Sequence, residues 1–287
     1  MHILYIILPM QLVRSIGQVK KITASIKQKG RQIGLVPTMG FLHEGHLSLV
    51  RIARKKCDYL VVSIFVNPAQ FGPKEDYQKY PRNLNRDLRL LRKEGVDLVF
   101  CPSLKEMYPE DFRTYVEVHE WSKLLCGASR PVHFRGVTTV VLKLFNILQP
   151  DIAVFGRKDY QQSVIIKQMV RDLNLNVRIV TGRIVREPDG LAMSSRNTYL
   201  SKNQRENAVV LYKSLKWLRQ VYIKGLRDTK LAENKMASMI KNKKGKIDYI
   251  AIVDKNTLEP VTKLRKGTLV ALAVFFGRTR LIDNTVL

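Results

Sequence analysis

Short apolar runs alternate with longer amphipathic stretches through the first two thirds of the chain. Residues 33–36, 59–66, 96–101, 151–155 and 177–181 are nearly continuous in aliphatic and aromatic side chains. Runs of that length without polar alternation predict strands covered on both faces, as in a parallel sheet. Between them the apolar positions move to helical spacing. Over residues 12–29, Val13, Ile16, Val19, Ile22 and Ile26 recur at intervals of three and four, which predicts a helix. Leu84, Leu88 and Leu91 repeat the spacing behind Asn83, a residue suited to an N-cap. Residues 134–148 and 160–173 complete the set. Strand–helix alternation of this kind implies parallel pairing through right-handed crossovers.

After about residue 187 the texture changes. Two basic helical segments, 202–223 and 229–241, precede strand-like residues 247–253 and 269–276. The turn chemistry of Pro188, Asp189 and Gly190 marks a hinge between the two parts. The expected fold class is α/β: a doubly wound, mostly parallel, Rossmann-like sheet over residues 1–186, and a smaller α+β C-terminal domain over residues 187–287. The opening residues 1–10 are apolar but have no basic leader and no small-residue cleavage site, so a first strand is expected there and not a signal peptide.

Composition narrows the class without deciding it. Of 287 residues, 45% are hydrophobic and 26% charged, a globular balance too apolar for a disordered basic tail. No apolar run approaches the roughly 18–20 residues of a membrane span. Cys57, Cys101 and Cys126 are scattered without metal-ligand spacing, and so few thiols suit a reducing cytoplasm. The formal net charge of +26 points first to nucleic acid. The basic residues, however, are spread over both parts of the chain. They lack the stripe with interleaved aromatics that nucleic-acid modules show.

Three clusters carry candidate chemistry. Strand 33–36 runs into Pro37-Thr38-Met39-Gly40-Phe41-Leu42-His43-Glu44-Gly45-His46 and then into a helical pattern. Two histidines three apart share one face at a helix N-terminus, where free N–H groups and the positive dipole end attract phosphate. A zinc site of the HExxH type needs a spacing of four and is discounted; a pair of structural histidines capping the turn is the other reading. No GxGxxG and no GxxxxGK[ST] is present, so any nucleotide is held by other means. The second cluster is Gly156-Arg157-Lys158-Asp159-Tyr160-Gln161-Gln162, at the end of strand 151–155. Lys158 offers a point charge for phosphate, although by chemistry alone a solvated Lys–Asp pair reads as well. The third is Met193-Ser194-Ser195-Arg196-Asn197, either a polyphosphate clamp or a polar turn. Asn67-Pro68-Ala69-Gln70 ends strand 59–66, and Gln70 supplies an amide able to read hydroxyls or a carboxylate.

HxGH after the first strands of an α/β sheet resembles the nucleotidylyltransferases and class I aminoacyl-tRNA synthetases. VPTMGFLHEGHLSLV, SIFVNPAQF, YPRNL, HFRGVTTVVLKLFNILQPDIAVFGRKDYQQ and REPDGLAMSSRNTYLS, in that order, with RLIDN near the end, resemble the signature segments of the pantoate–β-alanine ligase family. That resemblance implies ATP-dependent condensation of pantoate with β-alanine through a pantoyl adenylate, with Mg2+, in the cytoplasm and as a homodimer. It implies that Met39, Gly40, Phe41, Leu42, His43, Glu44, Gly45 and His46 line the ATP site. Gly156, Arg157, Lys158, Asp159, Val185, Met193, Ser194, Ser195 and Arg196 would join them. Catalysis would rest on His43, His46, Lys158, Ser194, Ser195 and Arg196, with His46 as proton carrier. Asn67, Gln70 and Gln162 would bind pantoate, and Asp87 would lie near magnesium. Arg157 replaces the usual Glu, Val132 a Gly and Arg183 a Pro. Two other readings remain open at this point: a different HxGH adenylyltransferase, and a non-catalytic basic nucleic-acid binder on the same fold. Neither a membrane nor a specific nucleic acid is expected as a partner.

Overall fold

A computed structural model of the chain describes residues 10–73 and 75–287. The strand expected over residues 1–10 lies outside the described residues apart from Met10. The elements run, in order, β1 (Gln11–Val13), α1 (Ile16–Gln28), β2 (Ile33–Thr38), α2 (Glu44–Arg54), β3 (Tyr59–Ile64) and α3 (Leu84–Lys93). Next come β4 (Leu98–Phe100), two single-turn helices α4 (Leu104–Met107) and α5 (Cys126–Ser129), α6 (His133–Leu148), β5 (Ile152–Gly156), α7 (Tyr160–Asp172) and β6 (Arg178–Gly182). The remainder is α8 (Lys202–Ala208), α9 (Val210–Ile223), α10 (Thr229–Lys241), β7 (Lys246–Asp254), β8 (Thr268–Phe276) and β9 (Thr279–Val286).

The first six strands form one parallel sheet in the order β1-β4-β3-β2-β5-β6. Alternate residues of each strand feed two cores, as the pleat requires. Leu35, Val61 and Phe155 meet Val19 of α1, Val141 and Phe145 of α6, and Ile166 and Met169 of α7 on one face. Val36, Val62 and Val154 meet Leu49 and Val50 of α2 and Leu88 and Leu91 of α3 on the other. Helices on both faces explain why these strands read as continuous apolar runs. The last three strands form a separate antiparallel sheet, β7-β8-β9, with its own core against α9 and α10.

The expected helix over residues 12–29 is in fact two elements. Gln11–Val13 pairs with β4 at the sheet edge, and the helix begins only after Ser15. A three-residue strand is too short to interrupt a spacing of three and four, so the periodicity ran through it. β9 gave no strand signal, because Arg280, Asp283 and Asn284 sit in it as polar groups, two of them buried.

Candidate active site

β2 and β5 pair side by side, while their following helices, α2 and α7, pack on opposite faces. This is the point where the strand order reverses, and ligands of open α/β sheets sit there, beyond the carboxyl ends of the strands. A cleft of about 1040 Å³ opens at that place.

The turn leaving β2 is shaped by a buried carboxylate. Gly40 has φ +80°, and a Cβ there would lie 3.0 Å from Ile64 and 3.2 Å from Asp87. The Phe41 and Leu42 N–H groups donate to the two oxygens of Asp87, at 2.7 and 2.8 Å. Asp87 is 1% exposed and does not line the cleft. Its carboxylate is committed to the turn, so it does not fit the role of a metal ligand. Among the described residues, no group of three or more His, Cys, Asp or Glu is placed to hold a metal ion.

α2 then begins with a reciprocal cap made by the two histidines. The Gly45 N–H donates to Nδ1 of His43 (3.1 Å), and the His43 N–H donates to Nδ1 of His46 (3.3 Å). A ring nitrogen that accepts carries no proton, so each neutral ring holds its proton on Nε2. Burial first, then the charge of Lys158, holds His43 down at about 4. Burial, His43 and Lys158 together push His46 well below the ordinary histidine value. Both rings are therefore neutral N–H donors near neutral pH.

At the end of β5, Lys158 and Asp159 face the cleft, with Nζ of Lys158 3.8 Å from the Asp159 carboxylate. The Arg157 side chain turns away and donates to Thr181 on β6 (3.4 Å), so the change from Glu does not place a charge in the cleft. Gln161 is buried, receiving the Cys126 N–H and donating to the Trp121 and Leu124 carbonyls, whereas Gln162 lines the cleft.

The 193–197 segment closes one side. Ser194 caps its turn by accepting the Arg196 N–H (3.3 Å), and Ser195 donates to the Phe41 carbonyl (3.2 Å). Arg196 donates twice to Asp76, at 2.8 and 2.9 Å. On the far side, α6 presses on the loop after β3. A Cβ on Gly136 would lie 2.2 Å from the Ala69 carbonyl oxygen. Asn67 is fixed there, donating to the Gly136 carbonyl (3.0 Å) and accepting the Ala69 N–H (3.3 Å). The Gln70 amide donates to the Met39 thioether (2.8 Å).

Met39, His43, Gly45 and His46 thus reach the cleft from the β2–α2 turn and the start of α2, and Gly156, Lys158, Asp159 and Gln162 from the end of β5, the turn after it and the start of α7. Asn67 and Gln70 come from the loop after β3, and Val185, Met193, Ser194, Ser195 and Arg196 from the junction of the two parts. Gly40, Phe41, Leu42, Glu44, Arg157 and Asp87 do not line it. Glu44 instead pairs with Arg51 on the exposed face of α2. The sequence did not single out four residues that also line the cleft: Asp76, the partner of Arg196, Arg130, which pairs with Glu75, and Asp283 and Asn284 of β9. Asp76 sits between two recognised segments, and RLIDN was the only signal for the β9 pair.

Known proteins match the chain over nearly its whole length. The family model for pantoate-beta-alanine ligase matches residues 11–286. The pantothenate synthetase of Thermotoga petrophila is 56% identical over 279 residues, 97% of this chain and 100% of its own. That of Caldicellulosiruptor bescii is 55% identical over 278 residues, 96% and 99% respectively. The crystal structure of pantothenate synthetase from Thermus thermophilus superposes with a TM-score of 0.91 at 45% identity, over 96% of this chain and 99% of that one. Pantoate-beta-alanine ligase from Francisella tularensis, complexed with beta-gamma ATP and beta-alanine, gives 0.81 at 40% identity, over 96% and 97%.

Proposed function

Because the chain belongs to the pantoate–β-alanine ligase family, we propose that its cleft condenses pantoate with β-alanine, converting ATP to AMP and pyrophosphate through a pantoyl adenylate. The chain is a ligase that forms a C–N bond in pantothenate biosynthesis. The observation that carries the residue assignments is the meeting of the histidine pair, Lys158 and the serine–arginine turn around one cleft at the reversal point of the sheet.

In the first half-reaction the pantoate carboxylate attacks the α-phosphorus and pyrophosphate leaves. A carboxylate is a weak nucleophile and its target is ringed by negative oxygens, so positioning and charge neutralisation must supply the rate. Asn67, Gln70 and Gln162 orient pantoate. The Nε2–H groups of His43 and His46 donate to phosphoryl oxygens as neutral dipoles. Lys158 brings a full charge, and Arg196 offers phosphate the donors that Asp76 leaves free. Val185 packs near the adenine. Magnesium accompanies ATP as the counter-ion of its phosphates, and no residue step here depends on it. In the second half-reaction the neutral amine of β-alanine attacks the acyl carbon of the mixed anhydride, the acyl C–O bond to phosphate breaks and the amine's proton passes to solvent. AMP leaves as a phosphate monoester, a stable anion that needs no protein acid. Enclosure protects the adenylate from water.

Residues 1–186 form the unit that binds ATP and pantoate, and residues 187–287 a lid. The separate core of the antiparallel sheet and the position of the clamp at the junction support that division. The protein works as a cytoplasmic homodimer, in keeping with the family resemblance and with three unbridged cysteines.

The test supplies ATP, magnesium and pantoate, follows pyrophosphate, then adds β-alanine and follows AMP. Pantoate-dependent pyrophosphate followed by β-alanine-dependent AMP is expected. Pyrophosphate release indifferent to pantoate would assign the fold to another adenylyltransferase. Lys158→Ala should slow pyrophosphate release by about a hundredfold or more. Near-normal release in that variant would remove Lys158 from the step.

A further inference from the structure

β9 is the last strand of the small sheet, yet it reaches into the turn that presents Lys158. The Asn284 side-chain amide donates to the carbonyls of both Arg157 (3.0 Å) and Lys158 (2.9 Å). Two carbonyl oxygens can face only the NH2 end of an amide, so the orientation of the group is settled by its partners. Asn284 is 6% exposed, and the short turn it holds joins β5 to α7. Its neighbour Asp283, 1% exposed, receives Arg186 through two bonds of 2.6 and 2.9 Å. Arg186 also donates to the Gly190 carbonyl at the start of the segment leading to the clamp (3.0 Å). Successive residues of one strand therefore grip the two loops that meet over the cleft.

We propose that Asn284 is a positioning residue for adenylate formation: by bonding the Arg157 and Lys158 carbonyls it sets the height and direction from which Lys158 meets the phosphates. The inference rests on the reading of Lys158 as a phosphate contact. Without Asn284, two partly buried carbonyls would lose their partner and the turn would relax towards water. Lys158 would then approach the phosphates from a displaced backbone. Geometry matters steeply here, because a shift of about 1 Å can cost about a hundredfold in rate. Seating β9 against the parallel sheet and placing Lys158 are one event in this arrangement. The small sheet thereby takes part in the chemistry without a side chain of its own on the phosphates.

The experiment is a double-mutant cycle of Asn284→Ala and Lys158→Ala, read by single-turnover pyrophosphate release, pantoate KM and thermal midpoint. Asn284→Ala is expected to slow release about tenfold or more. The pantoate KM should stay within about twofold, since Asn67 and Gln70 hang from the loop after β3 and Gln162 is carried by α7, beyond the turn that Asn284 holds. In the Lys158→Ala background the same change should add less than about twofold, because its effect passes through the lysine. Asn284→Gln keeps both donors and should recover part of the rate. Where the alanine variant does not fold, Asn284→Ser, with one hydroxyl donor in the same space, replaces it in the cycle. Fully multiplicative losses, with Lys158→Ala itself severe, overturn this inference and leave the role of Lys158 intact. A near-normal Lys158→Ala overturns both.

Discussion

Two imidazoles beside a lysine at a helix N-terminus invite a cationic reading, but His43 and His46 are each tied through Nδ1 to a backbone N–H and partly buried. His43 titrates at about 4, and His46 well below its ordinary value. The pH profile of kcat/KM for pyrophosphate release should therefore show no histidine break near 6.5, falling only as pH approaches about 4. A break near 6.5 that disappears in His43→Gln would refute the neutral-donor assignment. Asp87 makes a second prediction. Asp87→Asn sets an amide NH2 against one of the backbone N–H groups of Phe41 and Leu42, and should cost about 1–3 kcal/mol of stability. Denaturant unfolding would measure that loss, while the magnesium dependence of activity should stay unchanged. The histidine motif was legible from residue type and spacing. Which nitrogen bears the proton depended on the geometry of a local cap between residues two and three apart, and what Asp87 is for depended on groups 46 residues apart meeting in space.

Elements were legible where a long pattern met a clear boundary. The helix expected over residues 229–241 spans Thr229–Lys241, and the strand expected over 33–36 runs on to Thr38. Contacts between elements were not legible, and the meeting of α6 with the loop after β3 is the clearest case. Gly136 looks like a weak point in a helix, yet the Ala69 carbonyl lies where its Cβ would be. Gly136→Ala should force α6 from the loop at a cost of about 1–3 kcal/mol. It should also raise the KM for pantoate more than that for ATP, because Asn67 and Gln70 move with the loop. Thermal unfolding together with the two KM values checks this. An unchanged pantoate KM would show that the loop adjusts independently of the helix.

For the molecule as a whole, charge and pH act through different residues. Ion pairs among the described residues are made mostly by arginine, with Lys27–Asp151 and Lys158–Asp159 as the lysine cases. The lysine-rich surplus behind the +26 therefore sits mainly outside such pairs. Any retention on DNA should be weak, blind to sequence and lost at moderate salt. Retention that survives high salt with a sequence preference would give the charge a specific partner. Stability should depend on pH through histidines kept neutral by burial: His43 at about 4, His133 at about 3, and His46 lowered as well. In the unfolded chain histidines titrate near 6.5, so below that pH the unfolded state binds protons first. Stability is then complete above about 6.5 and falls as pH drops towards 4, which a lower urea midpoint at pH 5 than at pH 7 would show. Local pattern was enough to establish the α/β class, the order of the parallel strands' helices and the three chemical clusters, because hydrophobic period and turn chemistry act over a few neighbouring residues. Only the folded chain could bring Asp76 to Arg196, Asp87 to the turn at Phe41, and Asn284 to the carbonyl of Lys158 across 126 positions. Those pairings satisfy buried polar groups, and the identity of a buried group's partner is decided by packing, not by distance along the chain.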